Sequence, residues 1–297
     1  MIRLLSLCLV LTAAAARADD APRVVVDIAP VHSLVAQVME GVGTPDLIVP
    51  PGADAHHLAL RPSDAQVIAG ADVVIWVGPA LTPWLAEPLD ALAPEAAMLT
   101  LLETAGWTRR DNVDGHSHAE PGHEQHPVDP HAWLDPEVAM VWVRAIRDAL
   151  STTDPDHAAT YAANANRALT GLISLHDQIA ATLADVPGGT WIAPHAAYGY
   201  FASRFAVPPA AAISDSDATA PGPAHLAKLQ AMTQSGAVTC VLSETGGPTD
   251  YADLLTEGTA ARRGTIDDTG MTLAPGPALH AELLTGIAAT LKDCIAP

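Results

Sequence analysis

Apolar residues fall along the chain in two patterns, short unbroken runs and longer stretches repeating every three or four positions, most of them closed by glycine, proline or aspartate. Short runs bounded by turn residues read as buried strands, and the periodic stretches read as helices. Val24-Val25-Val26 reads as a strand, Val31 to Glu40 as a helix ending at Gly41, and Leu47-Ile48-Val49 as a strand stopped by Pro50-Pro51-Gly52. Ser63 or Asp64 can cap a helix to Ala69 with Gly70 as its stop. Val73 to Val77 is a continuous apolar run, of the kind buried on both faces of a parallel sheet. A helix from Leu81 and a strand from Met98 to Leu101 complete the first set.

Periodicity vanishes between Trp107 and His131, where His, Asp, Glu, Gly and Pro dominate, so this stretch reads as a long loop. Order resumes at Pro136, suited to a first helical turn, and Asp154-Pro155 signals another helix start. From Asp156 to about Asp185, Tyr161, Ala165, Leu169, Leu172, Ile173, Ile179 and Leu183 recur at helical spacing. A helix of roughly 30 residues is a rod of about 45 Å, long enough to run along two lobes. The second half repeats the alternation: strands at Trp191-Ile192-Ala193, Ala210 to Ile213, Val238 to Leu242 and Gly264-Thr265-Ile266, with helices at Tyr198 to Arg204, His225 to Ser235, Tyr251 to Glu257 and Ala278 to about Cys294. Strands alternating with helices make an α/β protein, here two parallel-sheet lobes joined by one long rigid helix. The expected segments are a signal peptide at 1–18, a first lobe at 19–152 with a histidine-rich loop at about 108–130, a linking helix at 153–186 and a second lobe at 187–297.

The amino terminus changes the compartment. Arg3, an apolar run from Leu4 to Ala16 and the Ala16-Arg17-Ala18 cleavage pattern form a secretory signal, so the mature chain is expected to be exported from the cytoplasm. Lipidation at Cys8 is disfavoured, because Leu7 stands where a small residue is wanted. Loss of Arg3 and Arg17 leaves 12 basic against 34 acidic residues, a formal charge of -22. Such a charge argues against nucleic acid or an anionic membrane as partner. Cleavage also leaves Cys240 and Cys294, which in an oxidising compartment read as one disulfide from a strand to the last helix, two buried free thiols being the alternative.

The candidate chemistry lies where strands give way to loops, the place where open α/β sheets bind ligands. His56 follows the second strand, His131 closes the long loop, His195 follows the first strand of the second lobe, and Asp267 follows the last. Three imidazoles and a carboxylate, two groups from each lobe, suit tetrahedral Zn2+ held in the cleft between lobes; manganese prefers more oxygen. Such a site is also that of a zinc hydrolase, but H-E-x-x-H and G-x-S-x-G are missing and Asp267 occupies the position that catalysis keeps open, so no enzymatic activity is expected.

Four blocks then carry a family resemblance: Gly52-Ala53 through His56 with Leu60-Arg61-Pro62-Ser63-Asp64 and Val74-Ile75-Trp76-Val77-Gly78; His131-Ala132-Trp133-Leu134-Asp135-Pro136; His195-Ala196-Ala197-Tyr198-Gly199-Tyr200-Phe201; and Gly264-Thr265-Ile266-Asp267. In this order they resemble the periplasmic zinc-binding components of high-affinity zinc ABC importers. The resemblance implies two lobes with little hinge motion, His56, His131, His195 and Asp267 as metal ligands, a Cys240–Cys294 disulfide, and docking on a membrane permease. Ala55 and the stretch Ser243-Glu244-Thr245-Gly246-Gly247 depart from the family pattern, leaving the identity of the carboxylate ligand open. His116, His118, His123 and His126 resemble the family's histidine-rich loop and are expected to form a weaker secondary site that scavenges or passes zinc. A periplasmic zinc chaperone is a second expected partner, and the chain is expected to be a monomer. A manganese receptor or adhesin of the same family is the alternative reading.

Overall fold

A computed structural model describes residues 21–111, 128–214 and 220–296. The expected signal segment and His116, His118, His123 and His126 lie outside them. In chain order the elements of the first half are β1 (Val24–Val26), α1 (Ala29–Val38), β2 (Asp46–Leu47), α2 (Pro62–Ala69), β3 (Val73–Trp76), α3 (Pro83–Leu92), β4 (Ala97–Thr100) and α4 (Pro136–Thr153). α5 (Ala158–Leu183) follows, and then β5 (Trp191–His195), α6 (Gly199–Arg204), β6 (Ala211–Ser214), α7 (Pro223–Gln234), β7 (Cys240–Glu244), α8 (Asp250–Thr256), β8 (Arg262–Ile266) and α9 (Leu279–Ile295). The strands form two four-stranded sheets, β2-β1-β3-β4 and β6-β5-β7-β8, parallel throughout. The repeat between halves therefore extends from pattern to topology.

The strand sequences explain the layering, because successive side chains point to opposite faces. Val24, Val26, Val73 and Ile75 enter the large central core, while Val25, Val74 and Trp76 join a separate cluster with Ile48, Ile68, Leu85 and Leu89 on the other face. In the second sheet Trp191, Ala193, Cys240 and Leu242 face the central core, and Ile192 and Val241 face outward onto Leu229, Ala252 and Leu255. Both faces being covered there, the central strands β1, β3, β5 and β7 are buried almost along their whole length, whereas edge strand β8 carries Arg262 and Arg263.

α5 packs on α1, α4 and α9, so it touches helices of both halves. Its 26 residues make a rod of about 39 Å, shorter than the sequence suggests, because Pro155–His157 form a separate 3₁₀ turn. His157 Nδ1 and the Tyr161 hydroxyl both donate to Asp154 Oδ2, at 2.8 and 2.6 Å, and hold that corner. α2 also begins earlier than its expected caps: Pro62 occupies its first turn, and Asp64 instead accepts from the Arg61 backbone N–H at 3.3 Å and from the Arg61 guanidinium. Cys240 and Cys294 form a disulfide joining β7 to α9, resolving the two-thiol alternative.

Buried polar contacts bind the two halves. Arg204 on α6 donates to Asp135, the residue that caps α4, at 2.9 Å. Ser33 on α1 donates to the Pro277 carbonyl at 3.0 Å and accepts from the His280 backbone N–H at 3.1 Å. His280 Nε2 in turn donates to the Trp133 carbonyl at 2.8 Å, and burial lowers its pKa to about 4, so the ring is neutral.

Candidate metal centre

Each candidate donor is positioned by its own local device. His56 sits in a turn whose backbone is held by Asp54, the His56 N–H donating to Asp54 Oδ1 at 2.7 Å. Trp84 on α3 anchors that turn, its indole donating to the Ala55 carbonyl at 2.7 Å. The neighbouring His57 points elsewhere: it is exposed and its Nδ1 pairs with Asp54 Oδ2 at 3.1 Å, whereas His56 lines the cleft.

His131 is buried, and Asp129 Oδ1 accepts from both its backbone N–H at 3.0 Å and its Nδ1 at 2.9 Å. A 3₁₀ turn, Ala132–Leu134, then carries the chain into α4. His195 is the last residue of β5, 3% exposed, and its Nδ1 donates to Glu244 Oε2 at 3.0 Å, at the end of the adjacent β7. Tyr198 donates to the other Glu244 oxygen at 3.3 Å, and burial, with the Glu244 charge adding to it, pushes its phenol well above the ordinary range. A carboxylate on Nδ1 fixes the ring and its tautomer, leaving Nε2 as the donor atom. Both buried histidines have this arrangement.

The rings form a chain across the cleft, His56 to His131 at 6.0 Å and His131 to His195 at 5.5 Å between centroids. They line a cavity of about 200 Å³ together with Glu244, Asp267 and Asp268. Donor atoms of His131, His195 and Asp268 lie within 4.8 Å of one another, and His195 Nε2 is 3.6 Å from Asp268 Oδ2. Donors on a tetrahedral zinc stand about 3.3 Å apart, close to the 3.6 Å between His195 Nε2 and Asp268 Oδ2. His56 faces the same cavity but stands outside the compact trio. Asp267 lines it too, with Oδ1 accepting from the Thr269 and Gly270 N–H groups at 3.0 and 2.7 Å. Burial, then the Glu244 charge, raises the Asp268 carboxyl; a cation beside it would draw the proton off.

Three groups here were not singled out in the sequence. Asp268 is the second of an adjacent pair, and only the turn built on Asp267 decides which carboxylate meets His195. Asp129 had a visible signal, an Asp two residues before a histidine in Asp-Pro-His. Glu244 ends a strand, the same kind of position that pointed to His195.

Two like-wound lobes bridged by a long helix, with imidazoles and carboxylates of both lobes facing one cleft, define a cleft-type solute-binding protein. Comparison with known proteins agrees in sequence and in fold. The family model "ZnuA: Zinc-uptake complex component A periplasmic" matches residues 24–294, and the chain belongs to that family. The high-affinity zinc uptake system protein ZnuA of Paracoccus denitrificans is 37% identical over 96% of this chain and 95% of its own. A crystal structure of ZnuA superposes with a TM-score of 0.80 at 19% identity, covering 93% of this chain and all of that one. An Mn-bound periplasmic metal-binding protein from Candidatus Liberibacter asiaticus gives 0.75 at 19% identity, over 91% and 98%. The two structures show the shared fold.

Proposed function

We propose that this chain is a periplasmic zinc receptor that captures Zn2+ in the interlobe cleft and delivers it to the membrane permease of an ABC-type importer. The carrying observation is the convergence of His131, His195 and Asp268 donors within 4.8 Å, with each imidazole oriented by a carboxylate. His56 completes the nitrogen set from the first lobe. Asp268 is the carboxylate nearest His195, and Asp267, the position matched by the family resemblance, is the second carboxylate in the cavity.

Capture involves no bond-breaking chemistry. Neutral imidazoles bind the ion and protons leave, so acidification weakens the complex. A carboxylate in the fourth position fills the place where a hydrolytic zinc would hold its water, which favours a carrier over an enzyme. The expected chain is a monomer exported through cleavage after residue 18, and no described helix is long and apolar enough to cross a membrane. The permease is one partner and a periplasmic zinc chaperone a second, with the loop histidines His116, His118, His123 and His126 as a weaker site that scavenges or passes zinc.

Titration of zinc against manganese, in the wild type and in His56→Ala, His131→Ala and His195→Ala, tests the reading. Zinc preference and weakened binding in all three variants are expected. Equal manganese affinity would overturn the metal assignment, and unaltered zinc binding in the variants would overturn the site. Asp267→Asn beside Asp268→Asn tells which carboxylate binds, the larger loss being expected at Asp268.

A further inference from the structure

The cavity has a buried floor and an exposed rim. His131, His195 and Asp268 are buried at its base, whereas Gly52 of the first lobe and Gly246 of the second are exposed at its edge. Each glycine is the corner of a turn at positive φ, +80° and +76°, where a side chain would be strained. Ala53 N–H closes the first turn on the Pro50 carbonyl at 3.1 Å, and Gly247 N–H closes the second on the Glu244 carbonyl at 3.1 Å.

Met271 occupies the space between them. A methyl group placed on Gly246 would overlap the Met271 Cε and come within 2.7 Å of its sulfur. One placed on Gly52 would lie 3.4 Å from the same Cε and 3.5 Å from Cγ. The thioether chain therefore rests against bare backbone from both lobes while lining the cavity that holds the histidines. It rises from the turn Gly270 to Leu273, whose first N–H is held by Asp267 Oδ1 at 2.7 Å. Asp267 thus organises the segment that presents both Asp268 and Met271.

We propose that Met271 is a removable cover over the metal pocket and that its displacement sets the rate at which the ion leaves. An unbranched thioether excludes water from the donors beneath it. Its dispersion contacts with the two glycines are individually weak, so rotation about its own side-chain bonds opens the pocket without parting the lobes. Gly246 is the complement of this device, since a side chain there would push the cover aside, while Gly52 meets it at ordinary contact distance.

The inference rests on the pocket being the zinc site, and one experiment separates the two. Zinc release into excess fluorescent chelator is followed by stopped flow for the wild type, Met271→Ala and Met271→Leu. Met271→Ala should release zinc about tenfold faster, since truncation removes the cover and affinity changes of this kind act mainly through dissociation. Met271→Leu, which fills similar space without sulfur, should release at the wild-type rate. Equal rates for the wild type and Met271→Ala would overturn the proposal. Release from Met271→Leu as fast as from Met271→Ala would also overturn it, by making the sulfur a metal donor rather than a cover. A wild-type chain that takes up no zinc would instead overturn the receptor reading, and this inference with it.

Discussion

The two lobes share one strand order but use its central crevice in opposite ways. In a sheet of this order the chain switches direction at the first and third strands, and the space beyond their carboxyl ends is where ligands bind. In the first lobe Asp27 closes that space: it is fully buried, one oxygen accepting from Val77 N–H at 2.8 Å and the other from Ile28 N–H at 2.9 Å. In the second lobe the equivalent ends of β5 and β7 hold His195 and Glu244. The first lobe contributes instead from the periphery, His56 from the loop beyond β2 and His131 from the segment preceding α4. Equal topology thus leaves function to the side chains at strand ends.

The largest difference to test is the Cys240–Cys294 bridge, present only in the second lobe among the described residues. Closing a segment of sequence separation 54 stabilises by about 4 kcal/mol on the chain-entropy estimate. Urea unfolding of Cys240→Ala/Cys294→Ala should show a loss of that order, and unchanged stability would mean that the second lobe does not depend on its bridge. Next, His195→Ala should weaken zinc by more than about a hundredfold, beyond the range for orienting partners. Asp27→Asn should leave zinc affinity where it was; a matching loss would erase the contrast between the crevices. Glu244→Ala should weaken zinc by about 10 to 100 fold, read in the same titration.

The smallest stability effect, read over the single unit from pH 5 to 6, is the response of Asp27. Burial raises its carboxyl from 3.8 to about 7, so the folded chain binds more protons than the unfolded one between those values. Its contribution to stability is fully present below the unfolded value and falls as pH rises towards 7, by about 1.4 kcal/mol per unit within the window. Unfolding of the wild type and Asp27→Asn at pH 5 and 6 should diverge by that slope, and parallel curves would show that the crevice imposes no such cost.

The architecture was legible because the central strands are covered on both faces and appear as apolar runs such as Val73 to Val77. The histidines were legible because they end loops or strands between such runs. What escaped depends on geometry finer than periodicity. The fixed φ of Pro62 moved the start of α2, and the 3₁₀ turn Pro155–His157 delayed the linking rod to Ala158, one turn after its Asp154-Pro155 start signal. Which of the adjacent pair stands beside His195 depends on the turn that Asp267 itself caps, and Asp27 has no local signature because its partner amide lies 50 residues away. Met271 reads as an ordinary apolar residue until the lobes bring Gly52 and Gly246 to either side of it.

The central claim, that donors from both lobes meet on one ion, is tested most directly by crystals of the zinc-loaded protein measured on either side of the zinc absorption edge. The account requires a single strong anomalous peak in the cleft, about 2.0 to 2.1 Å from Nε2 of His131 and of His195, with His56 drawn in and a carboxylate of Asp268 or Asp267 alongside. A peak bound by one lobe alone, or lying away from His131 and His195, would contradict it.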